Sequence, residues 1–175
     1  TDTKVREQKL QSKAERDSLS KLYNRITTQK KAEKFLSSAE NTGMSVLFMI
    51  DLDNFKQIND SLGHLYGDAV IIETAHRLKR IFRESDIIGR LGGDEFAIFI
   101  PNVPTMDFII EKAKSISTAI NAPVLFDNIP KSIGCSVGIA HTKEKIDFKT
   151  LYEMADKALY VAKSKGKNRF EFFSE

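Results

Sequence analysis

The chain has 175 residues with one cysteine, no tryptophan, four prolines and no long apolar run. Cys135 alone can form no internal disulfide and no cysteine-based zinc site, so a reducing compartment is its simplest setting. An isolated thiol of this kind reads as core filling. The longest apolar stretch, Met44 to Ile50 with Ser45 inside it, falls far short of the roughly 18 residues a membrane span needs. The N-terminus carries no apolar signal region. The expectation is a cytoplasmic chain whose residues make no membrane contact. Lys and Arg number 27 against 24 Asp and Glu, and a net charge of +3 gives no reason to expect a DNA or RNA polymer as partner. With 41% hydrophobic and 29% charged residues, disorder is excluded, and the length suits one domain with a sizeable core. The chain opens on Thr1-Asp2-Thr3 without a methionine, and is expected to be a piece of a longer protein.

Residues Lys4 to Arg16 are dense in charge, with Val5, Leu10 and Ala14 as a thin apolar stripe. They predict an exposed helix, either a solvated leader or the end of a coiled-coil connector. A second helix is predicted from about Ile26 to Ser38, and Asn41-Thr42-Gly43 breaks it. Met44 to Ile50 then predicts a central strand covered on both faces. A polar stretch follows that reads as a loop or short helix. The spacing of Val70, Ile71, Ala75, Leu78, Ile81 and Phe82 predicts a helix from about Asp68 to Phe82.

Asp86 to Leu91 and Phe96 to Ile100 predict two antiparallel strands joined through Gly92-Gly93-Asp94-Glu95. A helix from about Thr105 to Ile120 follows. Ser132 to His141 reads as a strand with Cys135, Val137 and Ile139 on one face. Leu151 to Ala162 reads as an amphipathic helix ended by Gly166, and Arg169 to Phe173 as a closing strand. The order predicts an α+β fold, a ferredoxin-like sheet of about five strands with helices on its faces, preceded by an N-terminal helix.

No phosphate-binding loop, dinucleotide fingerprint, zinc-protease or serine-hydrolase motif is present. Carboxylates remain. Asp51 and Asp53 end the central strand, Asp94 and Glu95 occupy the hairpin turn, and at least three of these could converge at one sheet edge. Clustered acids suit a hard divalent cation, Mg²⁺ or Mn²⁺, although acidic turns facing water are equally common. Lys157, Lys163, Lys165, Lys167 and Arg169 form an acid-free basic set around Gly166. Such a run usually complements a helix dipole. Facing the acids, it would complete a site for a metal-bound polyphosphate.

The stretch Arg90-Leu91-Gly92-Gly93-Asp94-Glu95-Phe96 resembles the signature of the GGDEF domain, the diguanylate cyclases that join two GTP molecules into cyclic di-GMP. Asp51 to Asp60, then Gly63-His64 and Gly67-Asp68, resembles that family's D-x-D-x-F-K-x-x-N-D…GH…GD stretch in order and spacing. Asp156 to Asn168 resembles its closing segment and Asp17 to Arg25 its opening one, where Ser20-Lys21 replaces the usual Thr-Gly. The division implied is a connector helix over residues 1–16 and a nucleotidyl-cyclase, palm-like catalytic domain over 17–175.

By this resemblance, Asp51, the Leu52 carbonyl, Asp94 and Glu95 would hold Mg²⁺ (or Mn²⁺), with Asp94 also the proton acceptor. Asn59 and Asp68 would read guanine, with His64 in the same stretch, while turn and helix-cap chemistry is the plainer alternative for both. Phe55 and Lys56 would wrap the phosphates, Lys56 stabilising transition-state charge. Lys163 and Lys167 would contact phosphate, the family often having Arg at the latter position. Arg83 and Asp86 match the R-x-x-D site at which cyclic di-GMP represses its own synthesis, with Lys114 a secondary basic contact. A two-fold product implies a homodimer. The tail from Phe170 to Glu175 resembles linkers into a downstream EAL phosphodiesterase domain. The implied function is metal-dependent, product-inhibited cyclic di-GMP synthesis. A non-catalytic module that binds GTP or cyclic di-GMP to regulate an attached domain is the alternative.

Overall fold

The computed structural model describes all residues from Thr1 to Glu175. Thirteen elements follow in order: α1 (Asp2–Glu15), α2 (Arg25–Leu36), β1 (Met44–Leu52), α3 (Phe55–Leu62), α4 (His64–Ile81), β2 (Ile87–Gly92), β3 (Glu95–Val103), α5 (Met106–Asn121), β4 (Val124–Phe126), β5 (Ile129–Lys131), β6 (Cys135–Thr142), α6 (Phe148–Ser164) and β7 (Arg169–Phe172).

Five strands form one sheet in the order β2-β3-β1-β6-β7. The central strand β1 runs antiparallel to both neighbours, and β7 lies parallel to β6. The unbroken apolar run of β1 is explained by cover on both faces. Val46, Phe48 and Ile50 point into one core with Val70, Ile71, Ile109, Ala113 and Ile116 from α4 and α5. Leu47 and Met49 point into a second with Ala32, Leu36, Leu151, Ala155 and Leu159 from α2 and α6. Cys135, Val137 and Ile139 share the first core, as their alternation predicted. Burial, and then the charge of Asp53, pushes the Cys135 thiol up to about 12, so it is an inert core residue.

The polar stretch after β1 takes the short-helix form of the two expected. Four details differ from the sequence-based expectation. Helix α4 begins at His64 instead of Asp68, so only Gly63 (φ 91°) separates α3 from α4. Strand β6 begins at Cys135 instead of Ser132, and α6 starts at Phe148, where the Asp147 carboxylate accepts the Thr150 N–H at 2.9 Å. A small hairpin, β4–β5, turns on Asp127 and Asn128, both left-handed. The buried Tyr66 hydroxyl lies 3.0 and 2.8 Å from the Val124 and Ile129 carbonyls and pins the hairpin to α4.

α1 buries none of its residues. Its end is fastened by Asn24, whose side-chain amide donates to the Ala14 carbonyl at 2.8 Å while its N–H donates to the Glu15 carbonyl at 3.0 Å. The turn that follows places Lys21 at φ 63°, where the resembled motif has glycine. Left-handed backbone costs a lysine about 1 kcal/mol. Lys21→Gly is therefore expected to raise the denaturation midpoint by the equivalent of 0.5–1 kcal/mol, roughly, after the greater entropy of an unfolded glycine. A lowered midpoint would contradict this account of the turn.

Candidate active site

The β2–β3 hairpin sets the acidic turn. Gly92 (φ 138°) and Gly93 (φ 50°) both take positive φ, and Gly92 pairs with Glu95, so Gly93 and Asp94 form the tip. The antiparallel register puts Glu95 directly opposite Asp51 on β1. The Leu52 N–H donates to the Asp94 carbonyl at 3.2 Å and ties tip to strand end. Asp51, Asp94 and Glu95 thus meet at one end of the sheet. Burial, and then the hydrogen bond and negative charge of Asp51, push the Asp94 carboxyl up to about 7, with Glu95 adding to the shift.

Lys163, near the end of α6, forms an ion pair with Asp51 Oδ2. Partial burial works against the lysine charge, but the Asp51 hydrogen bond and the charges of Asp51, Glu95 and Asp94 outweigh it and raise its pKa. An ammonium group therefore serves as counter-charge to the acids. No three His, Cys, Asp or Glu side chains are gathered closely enough to form a finished metal cage. The donor set nevertheless fits a hard cation: three carboxylates crowd one another, and Asp94 is pushed up in pKa by burial and by the charges of the other two. Lys167 lies beyond the helix end, exposed, its Nζ donating to Asn54 Oδ1 at 3.1 Å.

The second group of expected residues lies on α3 and α4. Phe55 is half-buried, Lys56 is exposed on the first turn of α3, and His64 is exposed at the first turn of α4. Asp68 sits inside α4, which overturns the helix-cap reading of that residue. Asn59 packs against Gly67: a Cβ there would lie 1.8 Å from Asn59 Oδ1 and 3.2 Å from the Phe55 ring. Absence of a side chain at 67 thus lets α3 approach α4 and brings Asn59 beside the Asp68 turn. Gly67→Ala is expected to drive the Asn59 side chain out of its place against α4 while the fold persists. The magnetic resonance signal of the Asn59 side-chain amide checks this, and an unmoved signal would contradict it.

Asp53 does not join the acids. It turns to Ser136 and Asn168, so three of the four expected carboxylates converge. Two further residues escaped sequence reasoning. Arg90 pairs with Asp17 at 3.1 Å and donates to the Gly93 carbonyl at 2.7 Å, bracing the acidic tip against the start of the domain. Burial alone would raise the Asp17 carboxyl, but Ser20 and Arg90 hold it below its ordinary value. Their place in two resembled motifs was visible; their contact was not.

Arg83 and Asp86 form a tight turn in which the buried Asp86 carboxylate accepts the Arg83 N–H at 2.9 Å. Arg83 is exposed beside a cavity of about 460 Å³ that Arg16, Tyr23, Lys79 and Phe82 help to line. Lys114 is not among its lining residues. The basic companions of Arg83 come instead from the end of α1 and from α4.

Residues 14–169 match the family model described as the diguanylate cyclase, GGDEF domain. The chain belongs to the GGDEF family. It is 38% identical over 158 residues, 88% of its length, to the diguanylate cyclase TpbB of Pseudomonas aeruginosa, of which it spans 36%. It is 31% identical over 175 residues, 99% of its length, to the cyclic di-GMP phosphodiesterase PdeR of Escherichia coli, of which it spans 26%. The coiled coil and GGDEF domain of DgcB from Caulobacter crescentus, solved in complex with c-di-GMP, superposes with a TM-score of 0.89 at 26% identity, covering 97% of this chain and 92% of that one. Curated relatives are longer, and this GGDEF chain spans between 22% and 54% of the length of those it matches. No helix of the domain is long and apolar enough to cross a membrane.

Proposed function

We propose that this GGDEF domain is an active diguanylate cyclase, which condenses two GTP into cyclic di-GMP with release of two pyrophosphates. The observation that carries it is the meeting of Asp51, Asp94 and Glu95 at one sheet end under Lys163. A module that only bound product beside Arg83 would need none of these acids, and all three are present.

Asp51, Asp94, Glu95 and the Leu52 carbonyl would hold Mg²⁺ or Mn²⁺, which when bound supplies Lewis-acid polarisation of the α-phosphate. Asp94 would also accept the proton of the attacking 3′-hydroxyl. Lys163 and Lys167 would bind phosphate oxygens, and Lys56 with the Phe55 loop would steady charge on the leaving pyrophosphate. The Asp68 carboxylate can accept from both N1–H and the exocyclic amine of guanine, with Asn59 beside it, whereas adenine offers no donor at N1. Arg83 and Asp86, with the basic cavity next to them, would bind the product and repress synthesis.

Each GTP supplies one half of a two-fold ring, so two domains must meet face to face. The exposed charged helix α1, tied to Asn24 through the Ala14 carbonyl, would set their geometry. Specific activity with GTP should therefore rise with protein concentration and reach a plateau, with ATP inert. A specific activity independent of concentration, in protein that light scattering shows to be monomeric, would remove the dimer from the mechanism.

A further inference from the structure

Asp53 stands two residues from Asp51 and is occupied elsewhere. Its Oδ1 accepts the Ser136 hydroxyl at 2.7 Å, and its Oδ2 accepts the backbone N–H of Asn168 at 2.9 Å. Its own N–H donates to the Gly134 carbonyl at 2.9 Å. One carboxylate thus joins the end of β1, the entry to β6 and the turn between α6 and β7.

That turn needs support. Lys167 and Asn168 are both left-handed, at φ 63° and 47°, a conformation that costs a lysine about 1 kcal/mol. Asn121 adds a bond to Asn168 Oδ1 at 3.2 Å, and Lys167 reaches Asn54 at 3.1 Å. The backbone of β6 comes close on the other side. A Cβ at Gly134 would lie 2.8 Å from Asn168 Oδ1 and 3.0 Å from Asp53 Oδ2.

We propose that Asp53 is a positioning residue that clamps the Lys167–Asn168 turn to the end of β1 and so aims Lys167 at the triphosphate of GTP. The substrate part rests on the cyclase reading above; the clamp itself does not. An ionised carboxylate accepting a backbone N–H is a strong, directional anchor. Each of the two Asp53 oxygens already holds a structural partner. An amide at this position can keep both bonds: its oxygen accepts the Asn168 N–H, and its nitrogen donates to the Ser136 oxygen, which accepts as well as donates.

The test compares the full chain with Asp53→Asn, Asp53→Ala and Gly134→Ala, by hydrogen exchange of the Asn168 amide and by steady-state kinetics with GTP and Mg²⁺. Asp53→Ala and Gly134→Ala are expected to speed Asn168 exchange and raise KM about 10-fold, with kcat within about 3-fold, the signature of lost ground-state binding. Asp53→Asn is expected to stay within about 2-fold of the parent in both constants, with an unchanged Mg²⁺ dependence. If Asp53→Ala does not fold, Gly134→Ala carries the comparison, because it displaces the clamp while keeping the carboxylate. Loss of turnover in Asp53→Asn with a shifted Mg²⁺ midpoint would overturn the proposal in favour of a ligand role. Unchanged Asn168 exchange in the foldable disruptive variants would overturn it outright. A parent with no turnover would sink the cyclase reading alone, since exchange and the affinity for GTP still report on the clamp.

Discussion

Asp94→Asn is expected to reduce cyclic di-GMP formation by about 10²–10⁴-fold and, at neutral pH and above, to make the domain more stable. Both effects come from one crowded carboxyl. In the unfolded chain Asp94 ionises at the ordinary carboxylate value of 3.8, and in the native domain at about 7. The protonated native form is therefore favoured. Stability is fully present below pH 3.8 and is lost as pH rises through about 7.

A shift of this size would amount to about 4 kcal/mol if the site were dry. Asp94 is only half-buried, and partial screening by water reduces the gain from Asn to about 1–2 kcal/mol, or roughly 3–6 °C in Tm. Melting curves of the two proteins should nearly coincide at pH 4 and separate by pH 8, with the variant higher. Added Mg²⁺ should stabilise the parent and not the variant. A parent more stable than Asp94→Asn at pH 8 without metal would mean that the acids are not crowded. This pattern, an active centre that weakens its own fold until a cation arrives, is the stability–activity conflict expected where like charges are held together.

Gly138→Ala is expected to be the most destabilising small substitution outside the acidic turn. Gly138 lies on β6 between Met49 of β1 and Glu171 of β7, and α6 crosses directly above it. A Cβ there would come within 2.2 Å of the Ala155 carbonyl oxygen and 2.3 Å of the Leu159 nitrogen. Those are backbone atoms of a helix packed across β6, so no rotamer change relieves the clash. The helix must lift, opening the core formed by Leu47, Met49, Leu151, Ala155 and Leu159. Overpacking typically costs about 1–3 kcal/mol, and a clash with helix backbone belongs at the top of that range. Lifting α6 also draws Lys163 away from Asp51. A shift in the urea midpoint equivalent to less than about 1 kcal/mol would show that α6 can slide.

How far these features could be read beforehand depended on what each residue contacts. The central strand was legible because a strand covered on both faces must be apolar throughout, and Met44 to Ile50 is. The acidic hairpin was legible because Gly92 and Gly93 are what a positive-φ turn requires. The start of α4 was not, because its first turn, His64 to Gly67, carries no apolar periodicity and no side-chain cap, and only the conformation of Gly63 divides it from α3. Nor was the β4–β5 hairpin, whose three-residue strands expose Leu125 and Ile129. Asp51 and Asp53 look equivalent in sequence. Their difference is made by long-range neighbours, Glu95 and Lys163 for one and Ser136 and Asn168 for the other, that no local pattern announces.

The most direct measurement of the central claim is product identification after incubating the purified domain with GTP and Mg²⁺ at a concentration that favours dimers. The account predicts cyclic di-GMP with two pyrophosphates for each ring formed, and none with Asp94→Asn. Intact GTP, bound but unconverted by a folded parent protein, would contradict it.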